Sequence, residues 1–252
     1  MKRALLLLLA VATAAGCSSS SSGKSAGRTS TGGSITVDAA ASLTEAFTTL
    51  KAQFEKAHQG AKVNLTFGAS SDLATQIQQG APADVFASAS RKNMDGLGGA
   101  AVSPTDFVKN TVEIAVPPSN PAGIRSVADL AKPGTKVAVC DPAVPCGVVA
   151  AEVFASAKIS VKPTASLADV KSTLAAVESG EVDAGLVYVT DVRAAGSKVK
   201  AVEIPAAVNA STTYPIAALK DARNPALAKA WVDYVLSAEG RKVLVADGFA
   251  PL

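Results

Sequence analysis

Serines at the starts of helices can hold an anion without spending a charge, and this chain has two such places. Residues 67–86, FGASSDLATQIQQGAPADVF, read as a strand end, a tight turn carrying Ser70 and Ser71, a helix with Leu73 and Ile77 on one face, and a second strand. A turn built from Gly68, Ala69 and two serines lets a ligand approach the backbone. It also leaves the first N–H groups of the following helix without intrahelical partners. Residues 39–45, AAASLTE, repeat the device with Ser42 between an apolar strand and a helix. Serines before helices are commonly N-caps that bond only their own backbone. Two such turns with exposed serines can instead converge on one anion, offering hydroxyls and oriented N–H groups.

The elements that must position these turns follow from periodicity. A short strand over 35–37 leads to Ser42 and Glu45, which have the Ser-x-x-Glu spacing of a capping box. Leu43, Ala46, Phe47, Leu50 and Phe54 then lay an apolar stripe along a helix that ends near Gly60. A strand over 63–67, a helix over 71–79 stopped by Gly80, and a strand over 84–88 complete a β-α-β-α-β run, which calls for a mostly parallel sheet. The middle of the chain repeats the pattern: strands over 112–116 and 136–140, a helix over 147–157, a helix from Ser166 and Asp169 through Val177, and a strand over 183–187 entering Tyr188. A strand over 214–219 and helices over 225–237 and 239–247 close the chain and are expected to pack back on the first half. The expected architecture is α/β and two-lobed, each lobe a mostly parallel sheet flanked by helices, with a hinge cleft between them. Lobe 1 comprises 34–111 and 213–252, and lobe 2 comprises 112–212.

Charge argues against a nucleic-acid partner. The formal balance of +3 arises from Lys2, Arg3, Lys24 and Arg28, which precede any acidic residue; the remainder has 20 basic and 21 acidic side chains.

The first 16 residues have the form of a signal peptide. Lys2 and Arg3 precede an apolar run over 4–12 and the small residues Ala14, Ala15 and Gly16. The run is too short to favour a spanning helix. Cys17 directly after Ala-Ala-Gly resembles the lipobox of bacterial lipoproteins, which implies lipidation at Cys17. Residues 17–33, rich in Ser, Gly and Thr, then read as a flexible tether, so the folded body is expected to be extracytoplasmic and lipid-anchored to the cell membrane. In that compartment an even pair in one short loop, Cys140 and Cys146, favours a disulfide. A metal site or a catalytic thiol would need partners, and the single histidine, His58, sits at the polar end of a helix.

Taken together, AAASLTEAF, FGASSDLATQIQQGAPADVFASAS, DPAVPCG, GLVYVTD and the closing DGF resemble the molybdate-binding proteins that serve ABC importers. The similarity spans the body from about Ile35 to the end; the second stretch is specific and the others are individually weak. The resemblance implies a periplasmic-binding-protein-like (type II) fold that captures molybdate, and with it tungstate, between the lobes. It further implies that neutral groups hold the oxyanion: Ser42 and Ser70 in lobe 1, and Cys146, Val170 and Tyr188 in lobe 2. The family usually has alanine where Cys146 stands, a change that preserves a main-chain N–H donor. Expected partners are the oxyanion, the importer's permease and its ATPase, with no cofactor, no metal coordinated directly by the protein and a monomeric state.

Other readings compete on specific residues. A serine hydrolase would need a general base near Ser42 or Ser70, yet His58 is the only histidine and no Gly-x-Ser-x-Gly elbow is present, so no enzyme activity is expected. The nearer alternative is a binding protein of the same fold for another tetrahedral oxyanion such as sulfate or phosphate. Phosphate binders generally bring an aspartate and an arginine to the ligand, and these motifs contain no such pair. Iron binders of this shape commonly pair tyrosines, whereas Tyr188, Tyr214 and Tyr234 are dispersed.

Overall fold

Strands and helices follow one another from Gly33 onward, largely in alternation. The computed structural model describes residues 32–252; the expected signal peptide, Cys17 and nearly all of the tether lie outside the described residues. The first run comprises β1 (Gly33–Ala40), α1 (Thr44–Ala57), β2 (Ala61–Gly68), α2 (Ser70–Gln78) and β3 (Val85–Ala87). After α3 (Arg91–Asp95), the long strand β4 (Ala101–Val116) leads to β5 (Val137–Cys140), α4 (Pro145–Ser156), β6 (Ala165–Leu167), α5 (Val170–Glu178) and β7 (Ala184–Tyr188). The chain closes with α6 (Val189–Ala195), β8 (Lys200–Val202), β9 (Ser211–Leu219), α7 (Pro225–Leu236) and α8 (Ala238–Ala246).

The strands lie in the order β2-β1-β3-β9-β4-β7-β5-β6, with β8 also beside β4. Strand β1 pairs in parallel with β2 and β3, and β5 pairs in parallel with β6 and β7. The other pairings, β3 with β9 and β4 with β7, β8 and β9, are antiparallel. The expectation of mostly parallel sheets is therefore corrected to two mixed halves, because β4 and β9 run against their neighbours. Residues Ala101 to Thr111 of β4 pair with β9, whereas Val112 to Val116 pair with β7 and β8, so one strand joins the two halves.

Each half has its own core. Around β1 and β9 the core is aromatic: Trp231 of α7 meets Phe47 and Phe54 of α1 edge to face, at centroid distances of 5.7 and 5.3 Å. Those residues follow the helical spacing that makes α1 amphipathic, and α7 and α8 pack against that half. Around β5 and β7 the core is aliphatic, with Ile114, Val137, Val153, Val177 and Leu186 fully or almost fully buried. The first residues of α2, α4 and α5 line the candidate site, at the junction of the halves.

Candidate functional site

Local chemistry fixes how each helix begins. Ala69 is extended, so Ser70 is the first residue of α2, and Gly80, with φ +88°, stops the chain after the helix. In α4, Pro145 supplies a preset φ and no N–H, which makes the Cys146 N–H the first donor of that helix. Asp169 caps α5 by accepting the Ser172 N–H at 2.8 Å, and its carbonyl accepts Thr173 N–H. The N–H groups of Val170 and Lys171 are thus the donors without an intrahelical acceptor.

These starts meet at a cavity of about 20 Å³, lined by Ser70, Cys146, Val170 and Tyr188 together with small residues such as Ala41 and Ala89. Four of the five expected ligand residues are on its wall. Ser42 stands immediately beside the lining residue Ala41, with its hydroxyl 2.8 Å from that of Tyr214.

Two expectations about the serines need correction. Ser42 and Ser70 are 3% and 1% exposed, so they are buried rather than displayed. The capping box between Ser42 and Glu45 is also absent. A 3-10 turn over Ala41–Leu43 moves the N-cap to Leu43, making Glu45 the second helical residue instead of the third, where the box requires it.

The hydroxyl inventory favours an acceptor-only guest. Ser70 Oγ accepts the Ala89 N–H at 2.9 Å, which leaves its own hydrogen available to donate. The Tyr188 N–H donates to Asp191 Oδ2 at 3.1 Å, and its buried phenol oxygen has no hydrogen-bond partner within 3.5 Å among the described residues, although the Tyr214 hydroxyl lies near enough to perturb it. Burial, aided by Tyr214 and Asp191 nearby, pushes the Tyr188 phenol well above the usual tyrosine range, so it stays protonated. A buried hydroxyl left unpaired costs about 1–3 kcal/mol, and an anion accepting from it removes that cost.

No lysine, arginine or histidine is among the described residues lining the cavity. Asp169 also lines the cavity, and its carboxylate accepts the Ser172 N–H at the start of its own helix. The nearest cation in sequence, Lys171, is held by Glu45 and by the fully buried Asp191. Burial raises the Asp191 pKa to about 6, against the lowering effect of Lys171. Cys140 and Cys146 are joined in a disulfide that ties the start of α4 to the end of β5. Among the described residues no group of three or more His, Cys, Asp or Glu side chains could hold a metal ion, and no helix is long and apolar enough to cross a membrane.

Residues 35–250 match the family described as bacterial extracellular solute-binding protein, and the chain belongs to that family. It is accordingly a solute-binding protein of the extracytoplasmic space and not an enzyme. A relative from Mycobacterium tuberculosis H37Rv, the molybdate-binding protein ModA, is 44% identical over 228 residues, covering 89% of this chain and 87% of that protein. The substrate-binding domain of a putative molybdenum ABC transporter from Clostridium difficile superposes with a TM-score of 0.66 at 32% identity, covering 87% of this chain and 99% of that one. The periplasmic molybdate-binding protein of Azotobacter vinelandii gives a TM-score of 0.76 at 20% identity, covering 86% and 99% of the two chains, and supports the shared fold.

Tyr214, Lys171 and Asp191 were not among the expected site residues. Their roles depend on pairings with no local signal: Ser42 and Tyr214 are 172 residues apart, and Glu45 and Lys171 are 126 apart.

Proposed function

We propose that this protein is the solute-binding component of an ABC importer and captures molybdate, and with it tungstate, in the cavity between its two halves. The unpartnered Tyr188 hydroxyl among converging helix starts is the observation that carries this reading. Ser42, Ser70 and Tyr188 donate through hydroxyls, and Cys146 and Val170 through backbone N–H groups. Each hydrogen bond to a charged oxygen contributes roughly 1.5–3 kcal/mol, and each helix start adds about 0.3–2 kcal/mol through its dipole. Several such donors replace hydration without a cation at the site. A fully deprotonated oxyanion suits them because it needs no acceptor in return. The relatives named for molybdate support the choice of guest.

The halves act as lobes, 34–111 with 213–252 and 112–212, which close on the oxyanion and present the closed form to the permease and its ATPase. The ligand favours closure by bridging both lobes. Residues 1–16 act as a signal peptide, Cys17 carries the lipid and 17–33 is the tether, which keeps a monomeric body at the membrane surface.

Thermal unfolding with molybdate, tungstate, sulfate and phosphate tests the reading. A ligand at 100 times its Kd stabilises the native state by about 2.7 kcal/mol. Molybdate and tungstate are expected to raise Tm strongly. Sulfate should do little, because a cavity fitted to longer metal–oxygen bonds leaves its oxygens out of donor reach. Equal shifts with sulfate would contradict the size argument, and no shift with molybdate would contradict the assignment.

A further inference from the structure

Ser42 has one hydroxyl hydrogen, and its oxygen lies 2.8 Å from the hydroxyl of Tyr214, with either group able to donate. The direction of that bond decides what Ser42 offers to a guest. If Ser42 donates to Tyr214, it presents lone pairs to the cavity side and repels an anion. If Tyr214 donates to Ser42, the serine hydrogen is free for an oxyanion. We propose that Tyr214 is a positioning residue that fixes Ser42 as a donor, an inference that rests on Ser42 contacting the oxyanion as described above.

The surroundings of Tyr214 suit that role. Its side chain is fully buried, and its ring is held edge-on by Phe107, Phe249 and Tyr188, with centroids at 6.4, 5.3 and 6.3 Å. The hydroxyl is held 2.8 Å from Ser42, with Asn110 and Tyr188 as its other polar neighbours. Burial pushes the phenol above its ordinary range even though Ser42 works in the opposite direction, so the proton needed for donation is retained. A donor bonded to the oxygen of a second donor also polarises it, so the Tyr214-to-Ser42 bond strengthens the hydrogen bond passed to the guest. The two tyrosines then divide the work: Tyr188 meets the anion itself, and Tyr214 acts one hydroxyl removed.

A double-mutant cycle on molybdate binding by the full protein tests this. Tyr214→Phe keeps the ring and is expected to raise Kd about five- to tenfold. In the Ser42→Ala background the same change is expected to alter Kd by less than about twofold, because nothing remains for the phenol to orient. Ser70→Ala serves as the control background, where the full loss should persist. A purely structural role would weaken binding equally in all three backgrounds and would overturn the proposal. So would unaltered affinity in Tyr214→Phe, or failure of that variant to fold, since the hydroxyl would then serve the core. Unaltered affinity in Ser42→Ala also overturns it while leaving molybdate binding intact, whereas absence of molybdate binding by the native protein overturns the assignment on which it rests.

Discussion

The Lys171 ammonium lies 2.8 and 2.9 Å from the two carboxylate oxygens of Glu45, linking the second residue of α5 to the first turn of α1. The same ammonium is 3.1 Å from Asp191, whose other oxygen accepts the Tyr188 N–H. One cation thus braces three elements of the candidate site across the junction of the halves while facing carboxylates. Lys171 and Glu45 are partly exposed, and such pairs contribute at most about 1 kcal/mol. Glu45→Gln is therefore expected to raise the molybdate dissociation rate about two- to fivefold, an effect that shrinks in about 1 M salt. Stopped-flow kinetics at low and high salt checks this; a rate that ignores both changes would show that the brace plays no part in retention.

Removing the Tyr188 hydroxyl should separate stability from binding. The phenol oxygen is buried without a partner, so Tyr188→Phe is expected to stabilise the ligand-free protein by about 1 kcal/mol. The molybdate-induced rise in Tm should shrink in the same variant. Calorimetry on both forms measures the two effects, and an unaltered molybdate shift would remove Tyr188 from the ligand set.

Gly147 sets how closely α4 approaches the preceding loop. A Cβ there would lie 1.9 Å from the Asp141 carbonyl oxygen and 2.8 Å from that of Cys140, so backbone must move to admit it. Gly147→Ala is expected to displace the start of α4 together with the Cys146 N–H, lowering Tm and weakening molybdate binding by at least about tenfold. Titration calorimetry would contradict this geometry if affinity were native.

Asp38 makes stability depend on pH. Burial raises its pKa from 3.8 to about 6, Thr66 lowers it through a hydrogen bond and nearby Asp84 raises it further. The folded state therefore holds this proton more tightly than the unfolded state. The stabilisation is fully present below about pH 4 and is lost as pH rises through 6. Relative to Asp38→Asn, the native protein should lose about 2 kcal/mol between pH 4 and 7. Urea unfolding at the two pH values checks it, and a difference between the proteins that does not vary with pH would rule it out.

Elements whose signal is local were legible before the fold was known. The apolar stripe Ala46, Phe47, Leu50 and Phe54, the small-residue turn before Ser70 and the stop at Gly80 define α1 and α2 to within about three residues. The first half of β4 was missed because Ser103 has φ +47° and register shifts interrupt the pairing before Thr105 and Val108, which destroys a period-two pattern. Ser42 and Glu45 matched a capping motif by spacing, but the turn over Ala41–Leu43 displaced the cap and gave both side chains partners from distant elements. Such partners follow from tertiary packing, which periodicity alone does not specify.

The central claim is that uncharged donors from both halves enclose a tetrahedral dianion, and the position of bound molybdenum tests it most directly. Anomalous scattering from crystals grown with molybdate should place the metal in the cavity beside Ser70, Cys146, Val170 and Tyr188. Its oxygens should lie within hydrogen-bonding distance of the Ser42, Ser70 and Tyr188 hydroxyls and the N–H groups of Cys146 and Val170. Molybdenum bound elsewhere, or a lysine or arginine nitrogen bonded to its oxygens, would contradict the account.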